Sequence, residues 1–252
     1  MMIEKLKEIS LEAGKLILEV YNSDDFNIKI KDDNSPLTDA DKRSHNYIVR
    51  ELGKNFPDIP IFSEEGKSIN YEKRKSWKEF FLVDPLDGTK EFIKRNGEFT
   101  VNIALIKNNL PSLGVINVPV TGESYFGSVE NGSYKILNGE IEKIGVSNAV
   151  RTDYLTVVQS RSHSGEEEDK FYSNYKIKEK TSKGSSLKIC LVAEGKAELY
   201  FRSGPTWEWD TAAGHAILLG AGGYFVNKDK SPLIYNKELP KNFGFIASSF
   251  EI

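Results

Sequence analysis

The run FFLVDPLDGT, residues 80–89, decides how this 252-residue chain is interpreted. Its first four residues are all apolar, which is typical of a β-strand covered on both faces. We expect that strand to end at Asp84. Asp84 and Asp87 then lie three residues apart across a turn, where their carboxylates can converge on a hard cation. Gly88 lets a ligand approach the backbone closely, and a helix starting just after it would direct free amide groups at an anion. The run predicts a site where metal and phosphate meet, and the alternative is a turn with two solvated aspartates.

Two more acidic segments follow this pattern. Glu64 and Glu65 come after a short predicted strand at residues 59–62, although such a pair alone is usually a solvated turn. Asp210 lies in WEWDTAAG, residues 207–214, at the start of a predicted helix, where helix capping is the alternative explanation. Magnesium takes oxygen ligands and usually keeps several waters. A few carboxylates and a substrate phosphate would therefore complete its coordination.

The flanking sequence predicts continuous mixed structure without repeats or long linkers. Apolar residues recur at helical spacing over residues 1–20, and Thr38 can cap a second helix. Short strands with Asn-containing turns follow, beginning with a hairpin around Asn108 and Asn109. Strands and helices alternate from Leu155 onward.

This change of pattern predicts two halves, an α+β half at residues 1–150 that carries most of the metal ligands and an α/β half at residues 151–252. The second half would contribute Asp210 and the residues that recognise the substrate.

Composition narrows the class of protein. The chain has 34 basic and 37 acidic residues and a net charge of −3, so it lacks the basic footprint of a protein that binds a nucleic-acid polymer. Cys190 is the single cysteine, which excludes an internal disulfide and favours a reducing compartment. No apolar run is long enough to span a membrane, and charges interrupt the first helix as they would not in a signal peptide. We expect a soluble cytoplasmic protein, either a monomer or a homodimer.

Four motifs together resemble the lithium-sensitive inositol monophosphatase-like superfamily. They are TDAD at 38–41, EE at 64–65, DPLDGT at 84–89 and WDTAAG at 209–214, and their order and spacing match across nearly the whole chain. The resemblance implies a layered αβαβα sandwich, an α/β (α+β) fold, with two or three Mg²⁺ ions. It also implies hydrolysis of a phosphomonoester by a metal-activated water.

The same resemblance assigns roles to particular residues. The implied metal ligands are the carboxylates of Glu64, Asp84, Asp87 and Asp210 and the backbone carbonyl of Leu86. Asp41 and Thr89 match the pair that orients the attacking water and form the catalytic group with Glu64. Gly88 and Thr89 would bind the phosphate through their backbone amides.

Three further segments resemble the CysQ-type 3′(2′),5′-bisphosphate nucleotidases. They are SRSH at 160–163, GSSLK at 184–188 and LYFRSGPT at 199–206. The implied substrate is adenosine 3′,5′-bisphosphate, cleaved to AMP and phosphate in support of sulfur assimilation, with its sulfated analogue as another substrate. The implied contacts to the nucleotide or its second phosphate are Ser162, His163, Ser186, Lys188 and Arg202. The alternatives are a helix cap for the first two, a solvated position for Lys188 and a structural ion pair for Arg202.

Two competing functions remain at this point. An inositol monophosphatase or a broad sugar-phosphate phosphatase would share the metal motifs. A catalytically idle sensor of phosphorylated metabolites would be expected to lack a metal ligand, yet Glu64, Asp84, Asp87 and Asp210 are all present.

Overall fold

The computed structural model describes residues 2–23, 26–30, 36–161 and 165–252. The helices in these ranges are α1 (Met2–Tyr21), α2 (Asp39–Asn55), α3 (Tyr71–Arg74), α4 (Thr89–Ile93), α5 (Glu166–Tyr172), α6 (Leu187–Ala193) and α7 (Glu208–Gly220). The strands are β1 (Lys29–Ile30), β2 (Pro36–Leu37), β3 (Ile61–Ser63), β4 (Glu79–Asp87), β5 (Thr100–Lys107), β6 (Leu110–Val118), β7 (Glu123–Ser128), β8 (Gly132–Leu137), β9 (Glu140–Ile144), β10 (Tyr154–Ser160), β11 (Lys176–Lys183), β12 (Leu199–Arg202), β13 (Thr206–Trp207), β14 (Tyr224–Asn227), β15 (Lys241–Asn242) and β16 (Phe245–Ser248).

The larger sheet runs in chain order from β3 to β9. Strands β3 and β4 are parallel, and every later neighbour is antiparallel. Side chains alternate along β4, so that Phe81 and Val83 pack in the core with α1 and α2, while Phe80 and Leu82 pack in the core with α6 and α7. The prediction of a strand buried on both faces is confirmed.

The smaller sheet has the order β11-β10-β12-β16-β14 and begins with parallel pairs. Helices α6 and α7 lie between the two sheets, and α5 covers the outer face of the smaller one, where its Tyr172 packs with Leu155 and Phe201. The order of layers is helix, sheet, helix, sheet, helix. The predicted αβαβα sandwich is confirmed.

Local predictions largely hold. Thr38 is the N-cap of α2, and Asn108 and Asn109 have φ angles of 49° and 63°, as a tight hairpin turn requires. The predicted end of the central strand is wrong, because β4 continues through an irregularity in its pairing to Asp87. Edge strand β11 was not predicted.

The division near residue 150 remains a prediction. Helix α7 packs against strands β4 to β8, so one core contains residues from both predicted halves. Among the described residues, no helix is both long and apolar enough to cross a membrane.

Candidate active site

A cavity of about 370 Å³ lies at the C-terminal end of β4 and at the N-terminal ends of α4, α6 and α7. It is lined by most of the residues that the sequence singled out, namely Glu64, Asp84, Leu86, Asp87, Gly88, Thr89, Ser186, Lys188, Arg202 and Asp210. Asp41 is buried next to Thr89. The predicted contacts Ser162 and His163 lie outside the described residues.

The bulged end of β4 brings its two aspartates to the cavity. Asp84 pairs with Asn102 of β5 and Asp87 with Thr100, while the two residues between the aspartates have no partner in this register. The Asp84 carboxylate accepts a hydrogen bond from the Leu86 amide at 3.0 Å. The pairing with β5 and this hydrogen bond fix the end of β4, so both carboxylates are held without a long flexible loop.

Burial and neighbouring negative charge disfavour the ionised forms of Asp84 and Asp210. Burial, followed by repulsion from Glu64, Asp87 and Asp210, raises the pKa of Asp84 well above its ordinary value. Burial and the charges of Asp87 and Glu64 likewise raise the pKa of Asp210. Burial also raises the pKa of Asp87, although the Lys188 ammonium opposes this effect. The site has a concentration of negative charge that a cation would relieve.

The donor chemistry fits a hard divalent cation, because the four side chains offer only oxygen ligands. In the described part of the chain, however, no three histidine, cysteine, aspartate or glutamate side chains are already grouped as a bound metal requires. A hydrogen bond joins Glu64 to Asp84 and contributes to the raised Asp84 pKa.

Thr89 and Asp41 form a hydrogen-bonded pair at the floor of the cavity. The Thr89 hydroxyl lies 3.2 Å from Asp41 Oδ1 and 3.4 Å from the Leu86 carbonyl oxygen, and it can donate to either. Asp41 Oδ2 accepts from the Thr38 amide at 2.7 Å and from the Thr38 hydroxyl at 2.6 Å. The cap of α2 therefore fixes Asp41 as an acceptor, and the Thr89 oxygen keeps lone pairs for a further donor.

Gly88 is needed at the turn between β4 and α4. Its φ angle is 91°, in the left-handed region that side chains rarely adopt. A Cβ atom there would also lie 3.1 Å from the Ser185 Cβ and 3.2 Å from the Glu98 carbonyl oxygen. The backbone can approach a ligand here because no side chain intervenes.

The wall opposite β4 carries the predicted substrate contacts. Lys188 is 6% exposed, and its ammonium donates to the carbonyl oxygens of Ser185 at 2.6 Å and Lys183 at 3.3 Å. Burial lowers the Lys188 pKa to about 8, although the Asp87 charge opposes this shift. The alternative of a solvated lysine is wrong.

Ser186 and Arg202 complete this wall. The Ser186 amide donates to Asp87 Oδ2 at 2.7 Å, and its hydroxyl lies within 3.0 Å of both Asn102 and Thr100. Arg202 ends β12, and its charge partly opposes the rise in the Asp210 pKa that burial causes.

Sequence reasoning missed several residues around the cavity. Thr100 and Asn102 hold Ser186 and Asp87. A signal for the first two existed, because they alternate with apolar residues in β5 and are its only polar residues before Lys107. No local motif identified Glu98, whose carboxylate accepts a hydrogen bond from the Gly184 amide behind the cavity wall.

The Inositol monophosphatase family matches residues 2–249 of this chain. The chain belongs to this family. Its relatives include the 3′(2′),5′-bisphosphate nucleotidase CysQ of Escherichia coli strain K12, with 43% identity over 251 residues, 99% of this chain and 100% of the relative. CysQ of Salmonella typhimurium strain LT2 is 46% identical over 246 residues, 97% of this chain and 98% of the relative. The resemblance stated from the motifs is confirmed, and the chain is a phosphatase.

Solved structures agree with this assignment. CysQ from Bacteroides thetaiotaomicron, a bacterial member of the family, is 44% identical with a TM-score of 0.84, and the match covers 96% of this chain and 95% of that one. An IMPase from Thermotoga maritima has a TM-score of 0.79 at 24% identity, covering 98% of this chain and 92% of that one. The second likeness concerns the fold alone.

Proposed function

We propose that the protein is a Mg²⁺-dependent 3′(2′),5′-bisphosphate nucleotidase that converts adenosine 3′,5′-bisphosphate to AMP and inorganic phosphate. The observation that carries the chemistry is the group of four carboxylates that lines the same cavity as Thr89, whose hydroxyl is paired with the buried Asp41. The choice of substrate is supported by full-length relatives that are named for this activity.

The metal would be held by Glu64, Asp84, Asp87 and Asp210 and by the carbonyl of Leu86, and the family resemblance implies two or three ions. When bound, Mg²⁺ supplies positive charge that makes the attacking water more acidic and neutralises the phosphate. The positive charge of the metal would stabilise the ionised form of the carboxylates, so that they are ionised at neutral pH despite their burial.

Thr89 would orient the attacking water. With the Leu86 carbonyl assigned to metal, the Thr89 hydroxyl proton is directed to Asp41 Oδ1, at 3.2 Å. The hydroxyl oxygen can then accept a hydrogen bond from the water and so direct the water's lone pair toward the phosphorus. Asp41 need not take up a proton, because its role is to fix the direction of the Thr89 hydroxyl. Glu64 completes the proposed catalytic group. Its charge raises the pKa of Asp84 more than that of any other acid does.

The phosphate to be cleaved would bind the backbone amides of Gly88 and Thr89. The remaining phosphate and the nucleoside would contact the opposite wall, where Lys188 and Arg202 supply positive charge and Ser186 supplies hydrogen-bonding groups. Ser162 and His163 belong to the same proposal through the motif alone. A cytoplasmic location, a monomeric or homodimeric state and sensitivity to Li⁺ also remain proposals.

Phosphate release from matched substrates tests this function. The purified protein with Mg²⁺ is given adenosine 3′,5′-bisphosphate, inositol 1-phosphate and fructose 1,6-bisphosphate in parallel, and the sulfated analogue in a fourth reaction. We expect the highest kcat/KM for the adenosine bisphosphate or its analogue, and no turnover in a verified metal-free sample. Preference for inositol 1-phosphate or the sugar bisphosphate would replace the nucleotidase with the corresponding family activity. Full turnover without metal would refute the mechanism.

A further inference from the structure

Glu98 lies outside every motif used above, yet its carboxylate is almost fully engaged. It lies between α4 and β5, and its side chain is 11% exposed. Oε2 accepts hydrogen bonds from Arg161 Nε and the Gly184 amide, both at 2.8 Å. Oε1 accepts from Arg161 Nη2 at 2.8 Å and from the Lys183 ammonium at 3.3 Å. We call this group of four residues the Glu98 clamp.

The clamp joins segments that are far apart in the chain. Glu98 follows the phosphate-binding turn by ten residues, whereas Arg161 ends the region of β10, and Lys183 and Gly184 end that of β11. The two backbones are also in close contact, because a Cβ atom on Gly184 would lie 2.8 Å from the Glu98 carbonyl oxygen. Backbone contacts backbone at this point, so movement of Glu98 would be transmitted to the segment beginning at Gly184.

That segment is the substrate wall of the cavity. Ser185, directly after Gly184, has a φ angle of 50°, which is unusual for a residue with a side chain. Its carbonyl accepts the ammonium of Lys188, and the next amide, that of Ser186, donates to Asp87. A displacement at Gly184 would therefore move the groups that orient Lys188 and Ser186.

We propose that Glu98 is a positioning residue for substrate recognition, holding Gly184 so that Ser186 and Lys188 face the phosphate that is not cleaved. The inference rests on the proposed function, because it assigns the wall to the second phosphate. Among the described residues, the Glu98 side chain makes no hydrogen bond to the metal carboxylates or to Thr89, although its carbonyl oxygen packs against the backbone at Gly88. Its ionised form suits the role, since its bonds to Arg161 and Gly184 outweigh burial and lower its pKa.

The test compares Glu98→Gln with a matched variant, Glu194→Gln. The Glu194 side chain is also buried, accepts from Lys135 at 3.0 Å and Tyr125 at 3.2 Å, and links the end of α6 to the larger sheet, but it does not line the cavity. We expect Glu98→Gln to raise KM for adenosine 3′,5′-bisphosphate about tenfold, equivalent to ~1.4 kcal/mol. Its kcat should change by a smaller factor than its KM, because the Glu98 side chain reaches the metal carboxylates only indirectly, through Gly184 and the Ser186 amide that donates to Asp87. Glu194→Gln should leave KM unchanged.

Amide hydrogen exchange provides a readout that does not depend on turnover. Peptides that span residues 183–188 should exchange faster in Glu98→Gln than in the wild type, and at the wild-type rate in Glu194→Gln. Arg161→Gln, at a half-exposed position that tolerates change, should reproduce the KM effect more weakly. The double variant of Glu98 and Arg161 should be no worse than Glu98→Gln, because both changes disrupt one clamp.

The outcomes separate this inference from the proposed function. If the wild type releases no phosphate from the bisphosphate, the proposed function fails, and hydrogen exchange still decides whether the clamp orders the wall. Unchanged exchange in Glu98→Gln overturns the clamp. An unchanged KM, or equal KM changes in Glu98→Gln and Glu194→Gln, overturns its role in recognition.

Discussion

Removal of the Arg202 guanidinium should separate substrate recognition from hydrolysis. Arg202 ends β12 at the cavity wall, and its charge acts on both Asp210 and Lys188. Lys188 is a less selective target, because it is buried beside Asp87 and donates to two carbonyls of the wall. Its loss would disturb the metal carboxylates as well as the substrate. Arg202→Ala is therefore the sharper perturbation.

The expected magnitude follows from one charged contact. A hydrogen bond to a charged group contributes about 1.5–3 kcal/mol, which corresponds to a roughly 10- to 200-fold fall in kcat/KM. A lysine at this position would retain charge but lose the planar fork of donors that matches a phosphate. Arg202→Lys should therefore fall between the wild type and Arg202→Ala.

The assay uses two substrates that share the cleavable group. Adenosine 3′,5′-bisphosphate carries the second phosphate, and adenosine 3′-monophosphate lacks it. Arg202→Ala should lower kcat/KM for the bisphosphate by the stated factor and leave the monophosphate within about twofold. An equal fall for both substrates, in a variant with a wild-type melting curve, would refute the assignment and leave a structural role for Arg202.

Three further predictions concern the metal site, the water and the core. Asp84→Asn should lower kcat/KM for both substrates by more than about 100-fold, which is the upper range for the loss of a residue that only supports a metal ligand. In metal-free protein the same change should raise the melting temperature, because it removes repulsion between carboxylates. A lower metal-free melting temperature would contradict that repulsion. Thr89→Val should lower kcat roughly 100-fold without weakening metal binding measured by calorimetry, and a wild-type kcat would exclude its role in orienting water. Burial lowers the pKa of His215 to about 3 from an ordinary 6.5, so its contribution is fully present above pH 6.5 and is lost as the pH falls toward 3. Relative to His215→Gln, urea unfolding of the wild type should lose about 2 kcal/mol between pH 8 and pH 5, and parallel curves would contradict this.

The sequence predicted those parts of the fold whose causes are local. Four consecutive apolar residues at 80–83 indicated a strand with two covered faces, and Asn108 and Asn109 indicated a turn because they tolerate positive φ angles. Strand β11 escaped prediction because its sequence, KIKEKTSK, has one apolar residue and no alternation. It forms because the adjacent β10 offers a parallel partner, and a lysine-rich sequence suits an exposed sheet edge.

In the candidate site too, the features with local causes could be predicted and those that depend on distant contacts could not. Residues in recognisable motifs could be selected before their geometry was known, and ten of them, four of which are carboxylates, line one cavity. The pairing of Asp87 with Thr100 could not be foreseen, because the irregularity after Asp84 that sets it depends on the register between β4 and β5. Glu98 was invisible for a related reason, since its partners lie more than sixty positions away.

Crystals grown with Mn²⁺ in place of Mg²⁺ and with adenosine 3′,5′-bisphosphate test the central claim most directly. The anomalous signal of manganese locates the ions independently of any assumption about their ligands. We predict two or three peaks in the cavity, each coordinated directly by carboxylates from the set of Glu64, Asp84, Asp87 and Asp210, with the cleavable 3′-phosphate against them. Peaks only elsewhere on the protein, or a nucleotide bound with its phosphates remote from these carboxylates, would contradict the account.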